Sequence, residues 1–238
     1  MRDKFVLRLG LYGIAIVSFC LPVYPQVSFY QPPTVAGSGN VFVADFNNNG
    51  KLDILMASGD MNLGNGDGTF VTGTSASASF VLAVGDFNGD GKPDVLEQGT
   101  STLLVCLGKG DGTFGSTITT TVGADLMAYA AADVNGDGKA DVLGISNSSL
   151  LVYLSKGDGT FASPASYNVG ATSSLYYSTF LSFGDFNGDG KIDVLVSIPG
   201  ISVTGQEIVL LGNGDGTFQA PKASVGLPVG LVPSGSQF

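Results

Sequence analysis

The chain has 238 residues, ten Lys and Arg against twenty Asp and Glu, and a net charge of −10. A nucleic-acid binder needs a basic face, and this composition supplies none, so that class is excluded. There is no His, the side chain that most often serves as general acid or base near neutral pH.

Residues 1–21 read as a targeting segment, not as part of the fold. Arg2, Lys4 and Arg8 make a basic start, and an apolar run from Leu9 to Leu21 follows and stops at Pro22. The run is shorter than the roughly 20 residues that span a bilayer and has the shape of a secretory signal. Ser18 and Cys20 are small residues at a permissible cleavage spacing, while Phe19 stands where a lipoprotein signal wants a small residue. The expectation is a secreted or cell-surface protein with no membrane segment in its mature chain; an uncleaved N-terminal anchor is the alternative. Cleavage near residue 21 would remove both Arg and leave seven Lys against nineteen acidic residues, a mature charge of −12. The cysteine that remains, Cys106, lies in the apolar run LLVCLG and reads as a buried small hydrophobe. A secreted domain without a disulfide needs another stabilising device.

From residue 28 to 225 the chain repeats itself. Four acidic loops begin at Asp45, Asp86, Asp133 and Asp185, spaced 41, 47 and 52 residues apart. Each is followed by a second signature: LGNGDGTF at 63–70, LGKGDGTF at 107–114, LSKGDGTF at 154–161 and LGNGDGTF at 211–218. The second repeat reads FVLAVGDF, the acidic loop, DVLEQ, TLLVCLG, the turn GKGDG, then a Thr-rich TFGSTITTTV. That is four strand-like runs with Gly and Asp-Gly where hairpin turns belong, and no run has a helical period. Four strands in 40–50 residues is the size of a propeller blade, so the expected fold is all-β, a β-propeller of four-stranded blades. FASPASYNVG at 161–170 and FQAPKASVG at 218–226 read as outer strands, and FYQPPTVAG at 29–37 as one more that opens the chain. Residues 226–238 read as the start of a further blade or a tail. A closed four-bladed ring, an open arc and a fragment of a larger propeller all stay open; an open arc would bare apolar blade faces and favour self-association.

The acidic loops carry the chemistry. The pattern D-x-N-x-D-G-K-x-D puts side-chain oxygens at positions 1, 3, 5 and 9 around a Gly turn. The candidate ligands are Asp45, Asn47, Asn49 and Asp53; Asp86, Asn88, Asp90 and Asp94; Asp133, Asn135, Asp137 and Asp141; and Asp185, Asn187, Asp189 and Asp193. The backbone carbonyls of Lys51, Lys92, Lys139 and Lys191, at position 7, are the expected further ligands. An all-oxygen cage suits a hard cation of calcium size, and the expected cofactor is Ca2+, up to four ions. Acidic turns without an ion would leave like charges packed together without a counter-charge. The first loop has Asn49 where the others have Asp90, Asp137 and Asp189, and is expected to be the weakest. An EF-hand would need Glu at position 12, where only Glu97 qualifies beside Met56, Gly144 and Val196. Helical calcium repeats such as dockerin would run on into a helix, whereas DILMAS, DVLGIS and DVLVSI are strand-like. The aspartates of the second signature (Asp67, Asp111, Asp158 and Asp215) read as turn caps, and its Phe as a packing residue. Phe46, Phe87 and Phe186, at position 2 of their loops, read as core between blades, with Val134 in their place in the third.

VGDFNGDGKPDVL and LGKGDGTF resemble the FG-GAP/VCBS repeat family, the bacterial relatives of the integrin α-subunit propeller, over about residues 28–225. The resemblance implies a β-propeller whose calcium loops join the first and second strands of each blade. It also implies an extracellular role in adhesion or ligand recognition. Members of the family more often have about seven blades, whereas four loops are present here.

The carboxylate inventory argues against an enzyme. The acidic loops take eleven acidic groups and the second signature four, leaving Asp3, Asp60, Asp125, Glu97 and Glu207. Without His or a reactive Cys, acid–base or nucleophilic machinery is hard to assemble, and nothing in the sequence unites Glu97 with Glu207 as a glycosidase pair. The first reading is an extracellular binding or adhesion module for a protein or glycan ligand. The others are a structural fragment of a larger propeller protein and a calcium-dependent polysaccharide-active enzyme. A cation bound only by the folded state stabilises it by mass action. Removing calcium with a chelator is therefore expected to lower the melting temperature, and an unchanged melt would remove the structural ion from this reading.

Overall fold

In every repeat an apolar run resumes just after the ninth-position aspartate of the acidic loop, and there the chain turns back to pair with itself. The computed structural model describes residues 35, 37–76, 80–123, 126, 128–170, 179–198 and 206–223. Pro33–Phe238 forms one compact unit. Residues 1–21, read from the sequence as a targeting segment, most of the opening outer-strand candidate at 29–37 and residues 226–238 lie outside the described residues.

The first blade is β1 (Val41–Ala44), β2 (Asp53–Met56), β3 (Met61–Gly64) and β4 (Phe70–Thr72). The second is β5 (Val81–Gly85), β6 (Asp94–Gly99), β7 (Thr102–Gly108) and β8 (Phe114–Thr121). The third is β9 (Ala128–Ala132), β10 (Asp141–Ser146), β11 (Ser149–Tyr153) and β12 (Ala165–Asn168). The fourth is β13 (Phe180–Gly184), β14 (Asp193–Ile198), β15 (Gln206–Leu210) and β16 (Lys222–Ala223). Each blade is a four-stranded antiparallel sheet with its strands in chain order, and no helix occurs among the described residues. The expected all-β propeller of four-stranded blades is the observed architecture. Every acidic loop joins a first strand to a second, and every G-D-G turn joins a third to a fourth.

Burial follows from stacking. A middle strand is covered on both faces by the neighbouring blades, so DVLGI of β10 is buried throughout, whereas outer β8 alternates and turns Thr residues to solvent. The inner strands pack in sequence, β1 on β5, β5 on β9 and β9 on β13. Three apolar clusters fill the spaces between consecutive blades.

An aromatic joint marks each of these interfaces. Phe46 of the first loop meets Phe114 of the second blade edge-on, with ring centroids 6.0 Å apart. Phe87 meets Phe161 in the same way at 5.8 Å. At the third interface the smaller Val134 shares a cluster with Phe218, and Tyr167 fills the remaining space, 5.7 Å from Phe218 and accepting its N–H. Phe186 departs from the sequence reading. It was expected in the core but is 50% exposed, against 2% for Phe46 and 0% for Phe87, because among the described residues no further blade packs on the trailing face of the fourth.

The contrast gives a paired prediction at one loop position. Phe87→Ala should cost about 3–5 kcal/mol in denaturant unfolding, and Phe186→Ala less than about 1 kcal/mol. Equal costs would mean that the fourth loop is covered as the second is.

Candidate functional site

Each acidic loop is organised by its first aspartate. Asp86 Oδ1 accepts the N–H groups of Gly89 and Asp90 at 2.7 and 3.2 Å, and Oδ2 accepts that of Gly91 at 2.7 Å. Asp133 and Asp185 make the same three bonds. The sixth-position glycine adopts φ near +80° in all four loops, the left-handed turn that folds the amides onto this carboxylate. Asn88, Asn135 and Asn187 accept the fifth-position N–H alongside the first aspartate, which brings positions 1 and 3 to one amide. Asp90, Asp137 and Asp189 each accept the N–H of the lysine two residues on. Positions 1, 3 and 5 are thus drawn together on an exposed turn.

The ninth position is placed differently. Asp94 is fully buried; its Oδ2 accepts the Phe87 N–H at 2.8 Å and its Oδ1 the Gly108 N–H at 2.7 Å. Asp53, Asp141 and Asp193 make the equivalent pairs, to Phe46 and Gly64, Val134 and Ser155, and Phe186 and Gly212. Each carboxylate therefore pins the loop to the start of the second strand and the end of the third. The expected ligand set is divided, three residues on the turn and one clamped beneath it. Among the described residues no three acidic groups stand as a ready-made metal cluster.

The lysine expected to lend its carbonyl also lends its side chain. Lys92 Nζ lies 3.2 Å from Asp90, Lys139 2.8 Å from Asp137 and Lys191 3.8 Å from Asp189. Three of the loops thus hold a counter-charge of their own, where the sequence reading expected none. These pairs are part-exposed and worth little individually.

The donor set fits a hard cation in kind. Every candidate side-chain donor is an oxygen, and a carboxylate oxygen that accepts one N–H keeps a second lone pair. In the first loop Asn47 Oδ1 is buried with no hydrogen-bond partner, an acceptor facing no donor of the protein's own. Burial, with a smaller contribution from the neighbouring loop charges (Asp86 and Asp90, or Asp133 and Asp137), pushes Asp94 and Asp141 up to about 6. A cation among these groups would reverse that repulsion.

The second signature is a turn. Asp67, Asp111, Asp158 and Asp215 each accept the N–H and the hydroxyl of the Thr two residues on, at 2.9 and 2.6 Å. That hydroxyl bond holds all four carboxyls below the usual aspartate range. Cys106 is buried, its thiol pushed up to about 11 by burial, so it is inert as the sequence implied. Glu97 lies on β6 beside the Cys106 thiol, and Glu207 on β15 accepts the Ser197 hydroxyl. The two glutamates therefore belong to different blades.

Two features had no sequence signal. Loops bridge blades: Phe46 C=O accepts the Gly112 N–H at 2.9 Å, Asp86 C=O the Ala140 N–H at 2.7 Å, and Phe87 C=O the Ser155 hydroxyl at 2.6 Å. An open groove of about 480 Å³ also lies between the first two blades, walled by Val41, Val43 and Val84 and by Asp86, Lys92 and Pro93 of the second loop. Val41 and Val43 are 47% and 55% exposed there.

The family described as FG-GAP-like repeat matches residues 86–143 and 133–196. No curated protein matches the chain significantly. Among solved structures the chain is similar to an Agrocybe aegerita lectin whose structure concerns specific recognition of non-reducing terminal N-acetylglucosamine. The TM-score is 0.56 at 28% identity, over 77% of this chain and 51% of the lectin chain. This chain thus spans about half the lectin's length. It is also similar to a chain of the Photorhabdus luminescens Tc holotoxin pore, with TM-score 0.49 at 18% identity, over 83% of this chain and 10% of that one. The V. cholerae biofilm matrix protein Bap1 gives a TM-score of 0.37 at 20% identity, over 77% and 38% of the two chains.

The first loop differs from its copies in geometry as well as charge. Asn48 adopts φ 55° where the others have glycine, and Asn47 lacks the bond its counterparts make. With two carboxylates instead of three, blade 1 is expected to release calcium first when a chelator is titrated and its amides are followed by NMR. Asn49→Asp should raise that loop's affinity on the order of tenfold. Release from the first loop last would contradict the charge argument.

Proposed function

This is a β-propeller of FG-GAP-like repeats, and from that premise we propose that it is an extracellular, calcium-stabilised binding module that takes a terminal sugar of a glycan. The observation that carries the reading is the likeness to the lectin, 28% identical over 77% of this chain and alike in fold. A binding role also suits a chain whose two glutamates, Glu97 and Glu207, stand on different blades and form no catalytic pair. No helix among the described residues is long and apolar enough to cross a membrane.

The groove between β1 and β5 is the site that fits this ligand. Its volume of about 480 Å³ lies in the range of small-molecule sites. The valines of β1 offer an apolar wall to a sugar ring, and Asp86 and Lys92 offer an acceptor and a donor for hydroxyl groups. Calcium would be held in each loop by the side chains at positions 1, 3 and 5, the position-7 carbonyl and the clamped aspartate at position 9. When bound it neutralises carboxylates that otherwise repel. Asp86 and Lys92 belong to both the second loop and the groove, so sugar affinity follows calcium.

A glycan array read with calcium and with chelator tests this. Binding is expected to N-acetylglucosamine-terminated glycans and to weaken without calcium. Val43→Arg fills the groove from an exposed position and should lower affinity at least about tenfold. An array without a bound glycan would sink the reading, and full binding by the Val43 variant would move the site elsewhere.

A further inference from the structure

The two ends of the blade series are the two halves of one joint. On the inner side of each internal joint stands a loop with its position-2 side chain, and on the other the G-D-G turn of the next blade. The turn glycines Gly112, Gly159 and Gly216 are buried there, and a Cβ on them would touch Leu63, Leu107 and Leu154 of the preceding blade. Gly68, the same glycine in the first blade, is exposed, and a Cβ there would meet nothing within 4 Å. No described aromatic ring stands edge-on against Phe70, although Phe114 and Phe161 each have such a partner. At the other end Phe186 is 50% exposed in the position where Phe46 and Phe87 are covered. The leading face of blade 1 therefore lacks a position-2 Phe and a Leu, and the trailing face of blade 4 offers Phe186 and Leu211.

We propose that a second copy of this chain docks head to tail, the blade-4 face of each copy receiving the blade-1 face of the other. The occupant follows from the repeat itself. The three internal interfaces show which surface covers such a loop, and the first blade carries that surface unused. Phe70 of one copy would pack on Phe186 of the other, as Phe114 packs on Phe46. The contact is heterologous, made of two different patches, so it can close only as a ring. Two four-bladed arcs make eight blades, within the range propellers adopt. The assembly is independent of the sugar reading, since the groove between β1 and β5 lies inside one copy.

Light scattering coupled to gel filtration of the full chain over a concentration series tests it. The expected mass is twice that of one chain. Phe186→Asp and Gly68→Asn both alter exposed positions, and Asn tolerates a positive φ, so each should leave the circular dichroism unchanged. Each substitution should weaken the dimer on the order of tenfold or more. Mixing the two variants leaves one intact joint per pair and should recover dimer that neither variant forms alone. A monomer at all concentrations, or association indifferent to both substitutions, overturns the proposal. So does an assembly larger than a dimer. Aggregation through the apolar run at 9–21 would fall in the indifferent class, because neither substitution touches it.

Discussion

Four buried carboxylates hold the blades in shape. Asp53, Asp94, Asp141 and Asp193 each accept two backbone N–H groups, one from the acidic loop and one from the end of the third strand. Burying a carboxylate costs several kcal/mol, and the two charge-assisted bonds offset much of that. Their larger effect is on specificity. Without the carboxylate two buried N–H groups would have no acceptor, so no other path for the loop is as cheap. The loop must leave the first strand, turn over this group and enter the second strand beside the third.

That constraint sets where the next blade can sit. With the loop pinned, its position-2 side chain and carbonyl project toward the neighbour. There Phe46 and Phe87 meet Phe114 and Phe161, and their carbonyls bond to Gly112 and Ser155. A cation held in the loop would therefore be linked mechanically to the blade on its face, and stability passes between nearest neighbours along the series as in other repeat proteins. Among the described residues each end blade packs on one neighbour, and Phe186 and Gly68 are exposed while their counterparts are covered.

The same geometry leaves an open surface between blades. Middle strands such as β10 are buried along almost their whole length, and the G-D-G turns are fastened by their own Asp–Thr bonds. Among the described residues the edge of an inner strand and the loop beside it lie open in the groove holding Val43 and Lys92. A rigid scaffold with short loops suits recognition more than chemistry that requires groups to move.

The sequence by itself determined the blade. Repeat length, turn glycines and the short apolar runs specify four antiparallel strands per repeat, because apolar runs too short for helices and bounded by Gly and Asp-Gly turns pair as hairpins. It also determined that Asp111 and its counterparts cap turns, since that bond is made to a Thr two residues away, whereas the burial that makes Cys106 inert comes from the packing of blade 1 against it. The tertiary structure decided what depends on distant partners. It separated the ninth-position aspartates from the exposed turn, because the amides that claim them, such as Gly108, arrive from another strand. It set Lys92, Lys139 and Lys191 against their loop carboxylates, a contact that sequence spacing permits but does not require. And it left Phe186 in solvent although its local sequence matches that of Phe87, because burial at a joint is a property of the neighbouring blade and not of the residue.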